Sequence, residues 1–237
     1  MAAILYGIGV GPGDPELLTL KALKTIRTSD VLCFISNEAG RSIALDIVKA
    51  ELTILPQLLP VVLPMKTDRG QAKEVYDDTA LKIEAMLNAG QSVAMICEGD
   101  PFYYASFIYI YERLYERCTI EVIPGISAIH AAAANLRWPL CTQQDRQAVV
   151  TARSTDNQII TALKEFETVV ILKAGRDRHR IKTLILASVP ATKAAYAENI
   201  GHANEFLLSD ITLLPEGPGG YFALFLCVKP PALRSER

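Results

Sequence analysis

Short apolar runs alternate along the chain with longer stretches whose apolar residues recur every three or four positions, the pattern of strands followed by sheet-packed helices. Residues 3–8 predict a first buried strand and residues 15–27 the helix after it. Further strands are expected at 31–35 and 61–63, and Ala72, Val75, Tyr76, Thr79, Ile83 and Leu87 line one face of a helix that Gly90 stops. A strand at 92–97 runs into Glu98-Gly99-Asp100-Pro101, followed by a helix to about Arg117 and a strand at 120–123. Repeated strand-turn-helix units of this kind predict an α/β protein with a mostly parallel sheet.

After Pro124-Gly125, a small-residue segment at 126–136 reads as helical and is broken by Trp138-Pro139. Strands at 148–151, 168–172 and 194–197, helices at 157–166 and 177–187, and a last strand at 222–228 behind Gly217, Gly219 and Gly220 make a second domain. The expected division is 1–124 and 125–237. The apolar stretch 52–65 is interrupted by Pro56, Pro60 and Pro64, so it predicts loop and short extended strand and excludes a membrane helix.

The chain has 237 residues, 50% hydrophobic and 21% charged, which excludes a disordered chain and suffices for a large core without disulfides or structural metal. Lys and Arg number 24 against 26 Asp and Glu, a formal net charge of −2, so neither nucleic acid nor a membrane is an expected partner. Cys33, Cys97, Cys118, Cys141 and Cys227 form no CxxC pair, and an odd set of scattered thiols predicts a cytoplasmic chain. Residues 1–10 place no Lys or Arg ahead of an apolar run, and Asp14 ends that run too early for a secretory signal.

Gly7-Ile8-Gly9-Val10-Gly11-Pro12-Gly13-Asp14 follows a strand and precedes a helix, where glycines let backbone approach a ligand. A GxGxxG dinucleotide motif fits neither register, because its third glycine falls on Pro12 or on Asp14. Asp14-Pro15 and Asp100-Pro101 each pair a capping aspartate with a first-turn proline. Capping alone explains either one; two of them, each directly after an apolar strand, mark the edge where parallel sheets bind ligands. Pro124-Gly125-Ile126-Ser127-Ala128 is a third such turn.

Aromatics crowd behind the second turn, and of these Tyr103 and Tyr104 are candidates for stacking on a flat ligand, the rest for packing. Lys173, Arg176, Arg178, His179, Arg180 and Lys182 form a dense basic cluster, either a solvated helix face or a set of guanidinium forks for carboxylates. His130, His179 and His202 show no metal spacing, and Ser127 lies in no GxSxG frame, so neither a metal site nor serine-hydrolase chemistry is expected.

Taken together, YGIGVGPGDPELLTLKAL at 6–23, CEGDPFYY at 97–104 and VIPGISA at 122–128 resemble the tetrapyrrole methylase family in order and spacing, and VVILKAGR at 169–176 extends the match more weakly. The resemblance implies two α/β domains with a ligand cleft between them, S-adenosylmethionine as cofactor, and a homodimer. It implies cofactor contacts at Pro12, Glu98, Gly99, Asp100, Tyr103, Ser127 and Ala128, and less securely at Ala174. The GPGDPELLTLKA and EGDPFYYASFIYIYERL segments most resemble members that methylate the C-20 meso carbon of precorrin-2 or cobalt-factor II in cobalamin biosynthesis. Met95-Ile96-Cys97-Glu98 replaces the basic residues that uroporphyrinogen-type members carry ahead of this turn, which argues against that earlier step.

For such a small-molecule tetrapyrrole substrate, Arg176, Arg178 and Arg180 are the expected partners of its acetate and propionate groups. No residue is marked as a catalytic base. Two alternatives stand beside this reading: a family member acting on another precorrin, a diphthamide precursor or ribosomal RNA, and a nucleotide-binding regulatory module without turnover.

Overall fold

Two five-stranded sheets organise the chain, which divides into two compact units, Met1–Ser127 and Ala128–Arg237. The computed structural model describes residues 3–63, 69–190 and 192–230; Pro64 and Met65, at the end of the proline-broken stretch, lie outside them.

In the first unit the strands are β1 (Leu5–Gly9), β2 (Val31–Ser36), β3 (Gln57–Val62), β4 (Val93–Cys97) and β5 (Ile120–Ile123). They lie in the order β3-β2-β4-β1-β5, and every pairing is parallel. Helices α1 (Leu20–Thr28), α2 (Ile43–Lys49), α3 (Arg69–Asn88) and α4 (Phe107–Leu114) cover the two faces. A parallel sheet buried on both sides needs near-continuous apolar strands, and β4 shows why. Val93, Met95 and Cys97 pack with Tyr76 and Ile83 of α3 and Phe107 and Ile110 of α4, while Ala94 and Ile96 pack with Ile26 of α1 and Ile47 of α2.

The second unit holds β6 (Gln147–Thr151), β7 (Thr168–Leu172), β8 (Lys193–Glu198), β9 (Phe206–Leu208) and β10 (Ala223–Val228), ordered β6-β7-β10-β8-β9. Only β6 and β7 pair in parallel; the rest of this sheet is antiparallel. Helices α5 (Ala128–Leu136), α6 (Asp156–Glu165) and α7 (Arg178–Ser188) belong to this unit, and its main core joins Ile159, Leu163, Ile171, Ile181, Tyr196 and Phe225. Among the described residues, no helix is long and apolar enough to cross a membrane.

Five local features differ from the sequence expectation. The helix expected at 15–27 is split: Pro15–Leu17 is a single 3-10 turn, Leu18 is extended, and Thr19 starts α1 by accepting the Ala22 N–H at 3.1 Å. The helix expected directly after Asp100 begins only at Phe107, because residues 101–104 form a turn in which Tyr104 takes a left-handed conformation, φ 57°. Neither α2 nor β9 was expected; each is short, and α2 depends on Ser42, whose hydroxyl accepts the Leu45 N–H. Gly125, Ile126 and Ser127 group with the first unit, since Gly125 is bonded to Asp100 at 3.1 Å.

Glu167, buried at the start of β7, fastens it to the segment before β6: its Oε2 accepts the Arg146 N–H at 2.9 Å, and its own N–H is given to the Arg146 carbonyl. The Arg146 N–H, with the Arg146 guanidinium, lowers the Glu167 carboxyl from 4.5 to about 2. A carboxyl depressed in the folded state stabilises the fold above its unfolded pKa, and this contribution fades as pH falls from 4.5 toward about 2. Glu167→Gln is therefore expected to lower the melting temperature at neutral pH, with the gap to wild type closing across that acid window; a gap independent of pH would contradict the assignment.

Candidate functional site

The carboxyl ends of β4, β1 and β5 lie side by side, with Gly9 level with Cys97 and Ile8 level with Ile123, so the turns that leave them converge on one edge. Side chains would not fit there. A Cβ on Gly9 would lie 2.6 Å from the Gly125 nitrogen, and one on Gly125 would lie 2.8 Å from the Gly9 Cα. Gly99 bridges to Gly11, donating its N–H to the Gly11 carbonyl at 2.7 Å, and its φ of 68° suits glycine. Val10 N–H reaches the Cys97 carbonyl at 2.9 Å, so the first two turns are stitched by backbone alone.

Asp100 ties in the third turn. Its Oδ1 accepts the Phe102 N–H at 2.9 Å and its Oδ2 accepts the Gly125 N–H at 3.1 Å. It therefore caps no helix; it joins two loops that are 25 residues apart. Asp14 does the expected local job, accepting the Glu16 N–H at 2.9 Å, but on the 3-10 turn only. Glu98 has a role that no local spacing announces, because its Oε1 accepts the Ala44 N–H in the first turn of α2 at 3.1 Å.

The electrostatic character of this edge follows from its composition. Residues 7–14, 98–104 and 124–128 contain Asp14, Glu98 and Asp100 and no Lys, Arg or His. Glycine backbone with excess negative charge suits a cationic, phosphate-free ligand and disfavours a dinucleotide. S-adenosylmethionine, with its sulfonium and ammonium groups, fits that donor set. Burial and the neighbouring Glu98 charge push the Cys97 thiol far up, and it packs in the core beside Phe107, which suits a neutral packing residue and no nucleophile.

Pro12, Glu98, Gly99, Asp100, Tyr103 and Ser127 are thus collected in the first unit; Pro12 and Ser127 are buried, and Tyr103 is exposed. Ala128, the first residue of α5, and Ala174 belong to the second unit. Ala174 is buried, donating its N–H to the Ala223 carbonyl, while Gly175 accepts from the Gly219 N–H at 2.8 Å. Among the described residues, no group of three or more His, Cys, Asp or Glu is placed to hold a metal ion. A groove of about 670 Å³ beside α5 is lined by His130, Arg137, Trp138 and Cys141, among others, and includes none of the predicted site residues.

The three arginines of the basic cluster have separate surroundings. Arg178 is 6% exposed and gives hydrogen bonds to the Gly217, Pro215 and Glu216 carbonyls at 2.7, 2.9 and 3.0 Å, with its guanidinium over the Tyr196 ring. Arg180 pairs with Asp156 and the Ala152 carbonyl. Arg176 is exposed, with no hydrogen bond or ion pair among the described residues. The Tyr196 hydroxyl, which donates to Glu198 at 2.6 Å, is raised by burial and by that carboxylate.

Glycine-lined acidic turns at the carboxyl edge of a parallel sheet define a small-ligand α/β protein. The chain belongs to the Tetrapyrrole (Corrin/Porphyrin) Methylases, whose family model matches residues 4–213. It is 33% identical over 230 residues to the precorrin-2 C(20)-methyltransferase of Sinorhizobium sp, covering 94% of both chains. It is also 33% identical over 182 residues to a probable cobalt-precorrin-2 C(20)-methyltransferase of Methanocaldococcus jannaschii, 76% of each. A solved uroporphyrin-III-C-methyltransferase from Thermus thermophilus superposes with a TM-score of 0.68 at 26% identity, over 97% of this chain and 93% of that one.

A charged acceptor holding two backbone donors contributes more than a simple cap, each such bond being worth roughly 1.5–3 kcal/mol. Asp100→Ala is expected to destabilise the first unit by about 3 kcal/mol, against about 1 kcal/mol for a lost cap, while Asp100→Asn, which keeps one acceptor oxygen, costs less. Urea unfolding of both variants measures this; equal losses of about 1 kcal/mol would return Asp100 to a purely local role.

Proposed function

We propose that the chain transfers a methyl group from S-adenosylmethionine to the C-20 meso carbon of precorrin-2 or cobalt-factor II, a step of cobalamin biosynthesis. The observation that carries this is the set of acidic glycine turns without Lys, Arg or His in a chain whose near-full-length relative bears the precorrin-2 C(20) name. When bound, the cofactor supplies an electrophilic methyl group on positively charged sulfur.

Under this proposal Gly99 and its neighbours let backbone come within contact distance of the cofactor, which side chains would prevent. Glu98 and Asp100 set a negative potential opposite its positive groups, and Asp100 keeps the second and third turns in register. Pro12, Tyr103, Ser127 and Ala128 complete the proposed contacts, with Ala174 as a further one. Methyl transfer asks for alignment of acceptor carbon and methyl group in a dry site, so rigid turns are the main contribution of the protein. Arg176 is the proposed partner of a substrate carboxylate; Arg178 and Arg180 hold the loops beside it. The odd number of cysteines and the absence of a CxxC pair support work in the reducing cytoplasm, and the family resemblance supports a homodimer.

The direct test is transfer of an isotopically labelled methyl group to precorrin-2, with and without inserted cobalt, followed by location of the label. One methyl at C-20 is expected; label at another carbon, or none, would overturn the assignment. Arg176→Glu is expected to raise KM for the tetrapyrrole about tenfold with kcat little changed, the loss of one charge-assisted contact. An unchanged KM would make the residue part of a solvated face.

A further inference from the structure

The aromatic turn behind Asp100 has a use that the cofactor contacts leave open. Phe102, Tyr103 and Tyr104 are consecutive, large, and exposed by 46%, 37% and 44%. Single exposed aromatics are ordinary, but three in one turn form a patch. The turn is built to present them. Asp100 accepts the Phe102 N–H with its side chain and the Tyr103 N–H with its carbonyl. Tyr104 then takes φ 57°, a conformation that costs a non-glycine residue energy and is rare for bulky ones.

The rings have different attachments. Phe102 packs against Phe107 and Tyr111, with centroids 5.9 and 4.9 Å away, which roots the patch in the α4 layer. Tyr103 and Tyr104 stand edge to face at 5.1 Å and 79°. Residues 98–112 contain no Lys, Arg or His, while Glu98 and Asp100 lie at their start. Without a cation of its own, the turn offers carboxylates and phosphates no partner, so it suits neither nucleic acid nor an acidic peptide. It suits the flat, carboxylate-free face of a conjugated ring system, met by aromatic faces and edges.

We infer that Tyr103 and Tyr104, anchored through Phe102, form the surface on which the acceptor macrocycle lies, with Tyr104 as the residue that sets its position. This rests on the proposed methyl transfer to a tetrapyrrole. The macrocycle's carboxylates then point away from the patch, and Asp100 serves both ligands, holding the cofactor turns with its side chain and the aromatic turn with both its side chain and carbonyl.

The test uses Tyr104→Asn, since asparagine tolerates the left-handed backbone while the ring is removed, and Tyr104→Phe, which keeps the ring. Loss of one stacked ring is expected to raise KM for precorrin-2 about tenfold in Tyr104→Asn, with affinity for S-adenosylhomocysteine within about twofold of wild type. Tyr104→Phe is expected to restore KM. Should the asparagine variant fold poorly, Tyr104→Gly removes the ring without backbone strain, and the same criterion applies. If wild type methylates precorrin-2 while both ring-free variants keep its KM, the inference is overturned. A dissociation of subunits at unchanged KM would make the patch a contact between copies of this chain, which also overturns it. Failure of wild type to methylate any tetrapyrrole removes the functional proposal first, and this inference with it.

Discussion

Three loops can meet above the first sheet only because Gly9 and Gly125 carry no side chains and Gly99 takes a left-handed backbone, φ 68°. Backbone lies on backbone at that junction, and any Cβ on Gly9 or Gly125 would fall within 3 Å of the neighbouring chain. The strand order makes the junction possible, since it sets β4, β1 and β5 side by side with their carboxyl ends on one edge. Packing below depends on glycine as well: a Cβ on Gly7 would run into the Phe107 ring, so β1 accepts α4 only with a bare backbone. Sheet, helix layer and ligand edge are therefore one construction.

Asp100 turns that construction from a packing arrangement into a chemical one. Its two oxygens hold the Phe102 and Gly125 amides, its carbonyl holds the Tyr103 amide, and its charge joins that of Glu98 in turns that contain no Lys, Arg or His. A negative, backbone-lined edge is unlike the helix N-termini and basic loops that bind phosphate. The same residue therefore governs order in the turns and the sign of ligand they accept. In the second unit Arg178 does comparable work on the 215–217 loop, where a buried cation is satisfied by three carbonyls.

Much of this was legible from local pattern. The parallel sheet, α3 with its Gly90 stop, the boundaries of β5 and β7, and the three motif turns follow from periodicity and punctuation that neighbouring residues carry themselves. What stayed hidden depends on contacts distant in sequence. Nothing near Glu98 announces Ala44, and nothing near Asp100 announces Gly125; each pairing needs the strand order first. Arg178 and Arg180 looked alike as members of a basic run, although one is buried on carbonyls and the other pairs with Asp156. The split of the helix expected at 15–27 had a readable signal in Thr19, a capping residue within an apolar periodicity that masked it.

The glycine edge is built for a cationic, phosphate-free cofactor. Calorimetric titration of the chain with S-adenosylmethionine and, separately, with a nicotinamide dinucleotide tests it most directly. Saturable binding of S-adenosylmethionine at one site per chain, with no heat from the dinucleotide, is the predicted result. Binding of the dinucleotide with none of S-adenosylmethionine would contradict the account.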